Sequence, residues 1–371
     1  MTPRALARSL VSSLRPVAAG AVMALVPVAG AQSIDCQLAA RPQLTSADEA
    51  RVREVTAALL PGVASDDPAA SEKARNDLLR PLRCADVSRS FRLNLGAATS
   101  TELMRMAASS SDHVAINALR IAGEIATTAS TDVLRRGLED PRAGVRCMAA
   151  IGFRDTLRSV AAGNAGIVAA SVEPMLEQLA RQIESDPDVL VVENLILALD
   201  ATRNDSAVHL QAMRRLAPAL AKRAQTLRAA EDVDHGRWQI VLIRGIDAVT
   251  IPMTDAGGGI DAGYRVQAAL LAGQAVAYTR ARLERDGIAG LDLAGTESES
   301  IKTLVNTAER VLLLAEAARG GATPRQTLLP RFEDALRTSE IEGFVTEAAR
   351  WMGDSGILTR APYNAKAADF R

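Results

Sequence analysis

The sequence predicts an all-α protein built as an α-solenoid, a superhelical stack of antiparallel helix pairs. Apolar residues recur at helical spacing along most of the 371 residues. The dipeptide Asp-Pro recurs at positions 67, 140 and 186, each time between two such apolar segments, where it ends one helix and opens another. Alanine and arginine are abundant and runs of β-branched residues are few, which also favours helices.

The first 31 residues are typical of a secretory signal peptide that is cleaved after Ala31. Arg4, Arg8 and Arg15 occur there without any acidic residue, and an apolar run with small residues before the cleavage point follows them. A membrane anchor is disfavoured because the run is shorter than the roughly 20 residues that a spanning helix needs. We therefore expect an exported protein, periplasmic or extracellular, with no membrane span after cleavage.

The charge of the exported chain argues against nucleic acid as a partner. Removal of three arginines changes the formal net charge from -1 to -4, and the remaining 340 residues (371 minus 31) show no clustered basic face. Aromatic residues make up 3% of the chain, which disfavours base-stacking platforms and aromatic sugar-binding strips.

Three cysteines, Cys36, Cys84 and Cys147, remain after export to an oxidising compartment, so one disulfide is possible. Cys147 falls within the apolar pattern of a helix, where a free cysteine behaves as a small buried hydrophobe. The other two cysteines lie at helix ends in segments without periodicity. The sequence therefore favours a Cys36–Cys84 bridge.

The region from 32 to 203 is predicted to contain four helix pairs. Ser46 and Glu49 have the spacing of a capping box, and the first helix is predicted to stop at Pro61. A second helix begins at Asp67-Pro68. Residues 85–100 are predicted to be irregular, and the second pair to begin at Thr101.

The clearest helix pair contains the stretch EDPRAGVRCMAAIGF, residues 139–153. Asp140-Pro141 marks the turn, Val145 and Phe153 share one face of the following helix, and Arg146 leaves the turn. The fourth pair turns at Asp186-Pro187. The interval from 140 to 186 is 46 residues and that from 112 to 140 is 28, so the period is irregular, and the two intervals bracket those of two-helix repeats.

Residues 131–157 resemble a HEAT repeat, especially its short bacterial HEAT-like form, some examples of which occur in phycobilin lyases. The residues that carry the resemblance are Leu134, Leu138, Asp140, Pro141, Val145, Arg146, Ala149, Ala150 and Phe153. It is weaker over 101–127 and 172–203 and faint over 47–82. The family implies a right-handed stack of helix pairs that binds other proteins along a curved face, and it implies no reaction.

The resemblance also assigns structural roles to the turn residues. In such repeats the turn aspartate and the following arginine exchange hydrogen bonds between layers, which implicates Asp140 and Arg146. Asp140 is in addition expected to cap the second helix of its pair. The residues predicted to be structural are Asp140, Pro141, Val145, Arg146, Asp186 and Pro187.

The region from 204 to 352 is predicted to continue or cap the stack with further helices. One is expected to bend at Pro218, and a loop is expected over 253–263. Ser339 and Glu342 are expected to cap the last helix, and residues 353–371 to form a tail with little to bury.

The sequence offers no catalytic constellation and no cofactor motif. The three histidines, at 113, 209 and 235, show no paired spacing, and HExxH, CxxC and nucleophile-elbow patterns are missing. The acidic turn beginning at Glu231 supplies weak metal candidates, Asp232, Asp234 and His235, because hard cations prefer carboxylate ligands. A solvated polar turn with carboxylates at a helix start is the more ordinary interpretation.

Three functions are compatible with these observations. The first is an exported, non-enzymatic scaffold that binds another protein of unknown identity. The second is an envelope hydrolase or lyase with a cleft around Asp232, His235 and Asp255, which requires these side chains to converge in one pocket. The third is a self-associating structural spacer.

Overall fold

The prediction of an all-α fold is confirmed by a computed structural model of the chain. The structure describes residues 33–254, 260–291, 297–319 and 325–371, and these contain fifteen α-helices, no β-strand and one isolated bridge between Thr127 and Gly166. The predicted signal peptide and Asp255 lie outside the described residues. The helices are α1 (Cys36–Ala39), α2 (Ser46–Val63), α3 (Pro68–Leu79), α4 (Arg89–Ala107), α5 (Asp112–Ile125), α6 (Thr128–Leu138), α7 (Ala143–Ala161), α8 (Val172–Ser185), α9 (Val189–Asp200), α10 (Ser206–Arg228), α11 (His235–Thr254), α12 (Ala262–Asp286), α13 (Glu297–Ala317), α14 (Leu328–Thr338) and α15 (Glu342–Met352).

Consecutive helices pack in pairs, and the pairs are arranged in two layers within the compact unit Ser33–Arg371. The first layer contains α2, α4, α6, α8, α10 and α12. The second layer contains α3, α5, α7, α9, α11 and α13. In the second layer each helix contacts the next one. In the first layer successive helices also contact each other, except that α6 and α8 make little contact. The superhelical course of this arrangement stays a prediction.

One close contact between pairs is a crossing of α5 and α7 at two glycines. A Cβ atom added at Gly123 would lie 2.5 Å from the Cα of Gly152, so neither position has room for a larger residue. Val145 and Phe153 of α7 are buried on either side of this contact. Small residues at the crossing and larger ones beside it produce the dense packing that protein interiors require.

The start of the first long helix and the predicted irregular segment are corrected by the structure. Thr45, not Ser46, caps α2, because its side chain accepts from the backbone N–H of Asp48 and the Asp48 carboxylate accepts in return. The helix continues through Pro61 to Val63. Residues 85–100 are not irregular: α4 begins at Arg89, where the Ser88 side chain caps it.

The C-terminal expectations also need correction. Ser339 ends α14 in a left-handed conformation and does not cap α15. A side-chain cap is found at the start of α14. There the carboxylate of Glu309, on α13, accepts from the backbone N–H groups of Leu328 and Leu329 at 2.7 and 2.9 Å. Residues 353–371 are not a tail with little to bury, because three of their side chains are buried: Leu358, Tyr363 and Phe370.

The disulfide prediction is confirmed, since Cys36 and Cys84 form a disulfide with their Cα atoms 5.6 Å apart. Cys147 is free and half-buried, with its Sγ 3.4 Å from Nδ2 of Asn194. Burial and the nearby acids Asp188 and Glu193 raise the pKa of its thiol, so it is a poor nucleophile.

No helix in the described parts of the chain is long and apolar enough to cross a bilayer.

Candidate functional site

The turns between the layers are connected by side-chain hydrogen bonds. Asp140 and Asp186 each accept from the backbone N–H two residues ahead, that of Arg142 at 2.9 Å and that of Asp188 at 3.0 Å. This local bond is the Asx-turn that favours aspartate in tight turns. The expectation that Asp140 caps α7 is therefore wrong: the residue at the cap position is Arg142, and Asp140 stabilises the turn before it.

Arg146 links two successive turns. Its guanidinium donates to both carboxylate oxygens of Asp186, at 2.8 and 3.1 Å, and to the carbonyls of Asp140 and Pro141, at 3.0 and 2.9 Å. Asp186 is 2% exposed and also accepts from Gln182 at 2.8 Å. Arg146 thus satisfies a buried carboxylate with a bidentate pair and fixes the spacing of the two turns.

The same kind of contact continues in both directions along the stack. Arg142 donates to the carbonyls of Ser109 and Ser110 in the preceding turn. Arg223 of α10 donates at 3.0 Å to the carbonyl of Ile183, at the end of α8 just before the turn at Asp186. His113 contacts the carbonyl of Ser65 at 2.9 Å. The turns from residue 65 to residue 186 therefore form one hydrogen-bonded edge, which we call the turn ladder.

Electrostatics favour the charged forms of the two central residues of the ladder, Arg146 and Asp186. Burial raises the pKa of Asp186, but the hydrogen bonds from Arg146, Asp188 and Gln182 outweigh it and leave that pKa below its usual value. The hydrogen bond to Asp186 in turn raises the pKa of Arg146. Both groups therefore stay charged and paired, and neither is poised to exchange a proton near neutral pH.

The weak metal candidates are not brought together as ligands. Asp234 accepts from the backbone N–H of Arg237 at 2.9 Å at the start of α11, and Asp232 is exposed. His235 is buried, with Nδ1 2.9 Å from the hydroxyl of Tyr278 and Nε2 3.3 Å from the guanidinium of Arg285. The described residues contain no group of three or more His, Cys, Asp or Glu side chains arranged to hold a metal ion.

His235 belongs instead to a buried polar cluster between α11, α12 and α13. Burial, followed by the nearby cations Arg282 and Arg285, lowers the pKa of His235. Burial also raises the pKa of Tyr278 far above its usual value. Both side chains are thus held neutral and hydrogen-bonded to each other, an arrangement suited to packing polar groups in a core.

One candidate for a binding surface is the exposed face of three adjacent second-layer helices, α7, α9 and α11, where ion pairs join two of the helices. We call it the outer patch, and its residues are Cys147, Leu190, Glu193, Asn194, Arg237, Ile240 and Arg244. Leu190 is 46% exposed and Ile240 is 36% exposed, large values for such side chains. They occupy the solvent side of neighbouring helices.

The charged residues of the outer patch connect its helices. Glu193 of α9 forms ion pairs with Arg237 of α11 at 2.7 Å and with Arg244 of α11 at 3.4 Å. Asn194 contacts Cys147 of α7. The patch therefore combines two exposed apolar side chains with polar groups that are already held in position, a combination that protein interfaces also show.

Sequence reasoning missed this patch for an identifiable reason. The α9 segment, VLVVENLILALD, is apolar on almost every side, so its pattern does not reveal that Leu190 faces solvent while Val191 and Val192 are buried. Burial here depends on which neighbouring helices are present. The Asp-Pro turns, by contrast, have a local signal.

Two further surface features are concave. A cavity of about 410 Å³ lies between α10, α12 and residues 363–370. A cleft of about 450 Å³ lies between α6 and α8, where the first layer is loosely packed, and is lined mainly by polar side chains such as Arg135, Gln178 and Arg181. Neither is lined by Asp232 or His235, so these candidate catalytic residues share neither space.

Comparisons with known proteins add little. No protein-family model matches the chain, and no curated protein matches it. Among solved structures, the crystal structure of an engineered protein aligns with 72% of this chain and 96% of its own, at 16% identity and a TM-score of 0.33. At that TM-score the alignment establishes neither a shared fold nor a shared function.

Proposed function

We propose that this protein is an exported, non-enzymatic scaffold of HEAT-like helix pairs that binds another protein through the outer patch. The observation that carries the proposal is the exposure of Leu190 and Ile240 on adjacent helices that Glu193, Arg237 and Arg244 hold together. Exposed apolar side chains grouped on a rigid surface are characteristic of interaction sites.

The two-layer packing supports the solenoid part of this proposal. Successive helices of the second layer contact each other, which is the packing expected of stacked helix pairs. The turn ladder fixes the spacing between the pairs. A rigid surface loses little conformational entropy on binding, which favours the association of a partner.

Capture of partners from native envelope extracts tests the proposal. We expect the full chain to retain a partner and the double variant Leu190→Glu/Ile240→Glu to lose it, because two charges would replace the apolar contacts. The matched control is Leu93→Glu/Val168→Glu, which changes two apolar residues of similar exposure, 45% and 50%, outside the outer patch.

The proposal fails if both double variants retain or lose the partner equally while melting temperatures stay within about 2 °C of the parent, a shift typical of neutral surface changes. Cross-linking followed by mass spectrometry locates the contact. If the captured protein is a second copy of this chain, the spacer function replaces the scaffold function.

Export is the second part of the proposal, supported by the Cys36–Cys84 disulfide, a bond that persists in oxidising compartments. The full chain expressed with its first 31 residues is expected in the envelope or medium with Gln32 as its first residue. N-terminal sequencing measures this. Recovery of the uncleaved chain in the cytoplasm would refute export.

A further inference from the structure

The C-terminal residues 353–371, which we call the strap, lie across α12. Leu358 and Phe370 pack on the backbone of Gly273: a Cβ atom added there would lie 2.4 Å from Leu358 and 3.0 Å from Phe370. Tyr363 donates its hydroxyl to Glu316 of α13 at 2.7 Å. The glycine therefore makes the space in which two apolar side chains of the strap are buried.

The strap runs along a groove between α10 and α12 but does not fill it. The groove is lined by Pro218, Ala221, Lys222, Gln225, Gln267, Leu270 and Gln274, and the cavity of about 410 Å³ remains between these residues and the strap. Cavities of this size accommodate several further side-chain groups. The groove is therefore larger than the segment that now occupies it.

Two buried side chains beneath the strap are incompletely hydrogen-bonded. Arg228, 9% exposed, donates from Nη2 to the carbonyl of Asp369 at 2.6 Å, while its Nε and Nη1 have no partner. Gln274, 7% exposed, donates to the same carbonyl at 3.0 Å, which fixes the orientation of its amide and leaves Oε1 without a partner. The carbonyl of Asp369 thus accepts from both side chains, and each of these side chains has further polar atoms without a hydrogen-bond partner.

Arg228 is a buried cation without an acidic partner among the described residues. Burial, and then the nearby Arg280, lower its pKa. The charge of the Asp369 carboxylate opposes this shift, but the carboxylate forms no ion pair with the guanidinium and accepts from the backbone N–H of Lys366 at 3.0 Å. A carboxylate offers an arginine two oxygens at once, and a single carbonyl does not.

We propose that the groove is a docking site for an extended segment of another protein that carries an aromatic side chain beside a carboxylate, and that the strap is its internal competitor. The aromatic ring would take the position of Phe370 on Gly273, and the carboxylate would pair with Arg228. This inference rests on the proposed scaffold function and adds a second, regulated site to it.

Peptides taken from the strap test the inference without any natural partner. The probe is a fluorescent peptide with the sequence of residues 361–370 but with the substitution Asp369→Asn, so that its only carboxylate is the C-terminal one. It is made once with a free C-terminal carboxylate and once amidated, and added to the full chain. Phe370→Ala loosens the strap. We expect the free-acid peptide to bind the Phe370→Ala variant at least tenfold more tightly than it binds the parent chain. We also expect the amidated peptide to bind the variant at least tenfold more weakly than the free-acid peptide does.

The role of Arg228 is tested in the Phe370→Ala background. Adding Arg228→Gln is expected to abolish the difference between the acid and amide peptides. Adding Arg215→Gln, an arginine of the same helix that pairs with Glu173 and Glu177 and does not contact the strap, is expected to preserve it. Equal binding to the parent and to Phe370→Ala, or equal binding of the two peptides, would overturn the proposal.

Hydrogen exchange of the unmodified chain provides a measurement that does not depend on variants. We expect amides of residues 358–370 to exchange at least tenfold faster than those in the middle of α12, because the strap opens locally. Exchange of the strap only through global unfolding would also overturn the proposal. These experiments do not involve the outer patch, so their failure leaves the scaffold function standing, and failure of the scaffold function is measured separately with the outer-patch variants.

Discussion

The N-terminal pairs up to residue 203 and the helices after them are ordered by different kinds of contact. In the first region the turns are joined by a repeating hydrogen-bonded ladder, with Arg142 and Arg146 as its central members. In the second region single long-range contacts replace the repeat, such as Glu309 at the start of α14 and Phe370 against Gly273. The pairwise packing of the helices thus continues after the ladder of turn contacts has ended.

Loss of Asp186 is the strongest test of the ladder. Asp186→Ala removes the buried carboxylate that pairs with the partly buried guanidinium of Arg146, so we expect the free energy of unfolding to fall by about 3–5 kcal/mol. Urea denaturation measures it. The control Asp132→Ala breaks an exposed pair with Arg135 and should change stability by less than about 1 kcal/mol. Equal effects would show that the ladder does not order this region.

Loss of the disulfide is expected to have the next largest effect. Cys36→Ser/Cys84→Ser should lower the free energy of unfolding by about 2–4 kcal/mol, because the unfolded chain regains the freedom that the bridge across 48 residues removes. Thermal unfolding measures the loss. Thiol counting on the unfolded parent without reductant should find one thiol, that of Cys147, and three thiols would disprove the bridge.

Asp140 provides a finer test of the turns. Its carboxylate accepts from the backbone and the guanidinium of Arg142, so Asp140→Ala should cost about 1–2 kcal/mol in urea denaturation. Asp112→Ala, which removes a far more exposed partner of the same arginine, should cost clearly less. If the two variants are equally stable, the local turn bond contributes nothing.

Buried histidines in the second region should make stability depend on pH. Burial lowers the pKa of His209 below its ordinary value of about 6.5. As the pH falls below that value, the unfolded chain takes up a proton that the folded chain resists. The stabilisation is therefore fully present above about pH 6.5 and is lost progressively as the pH drops towards the folded pKa.

The variant His209→Asn isolates this effect because an amide can keep the hydrogen bond that Nδ1 makes with Thr202 at 3.1 Å. We expect denaturation midpoints measured between pH 7.5 and pH 5 to fall less for this variant than for the parent. Identical pH profiles would show that the histidine is not responsible.

Local signals explain how far the sequence predicted the candidate sites. The Asp-Pro turns were recognised because an aspartate and a proline act on neighbouring backbone, although the sequence did not distinguish a helix cap at Asp67 from an Asx-turn at Asp140. The outer patch and the strap groove were missed. Exposure of Leu190 and burial of Phe370 depend on helices far away in the chain.

The sequence by itself determined the helical class, most helix positions and the Cys36–Cys84 pairing. Periodicity, helix caps and the local context of each cysteine depend only on residues that are near in sequence. Only the tertiary structure decided that Arg146 bridges to Asp186, forty residues away, and that residues 353–371 fold back onto α12. The physical reason is that burial and pairing are properties of surfaces brought together, and a linear pattern does not specify which surfaces meet.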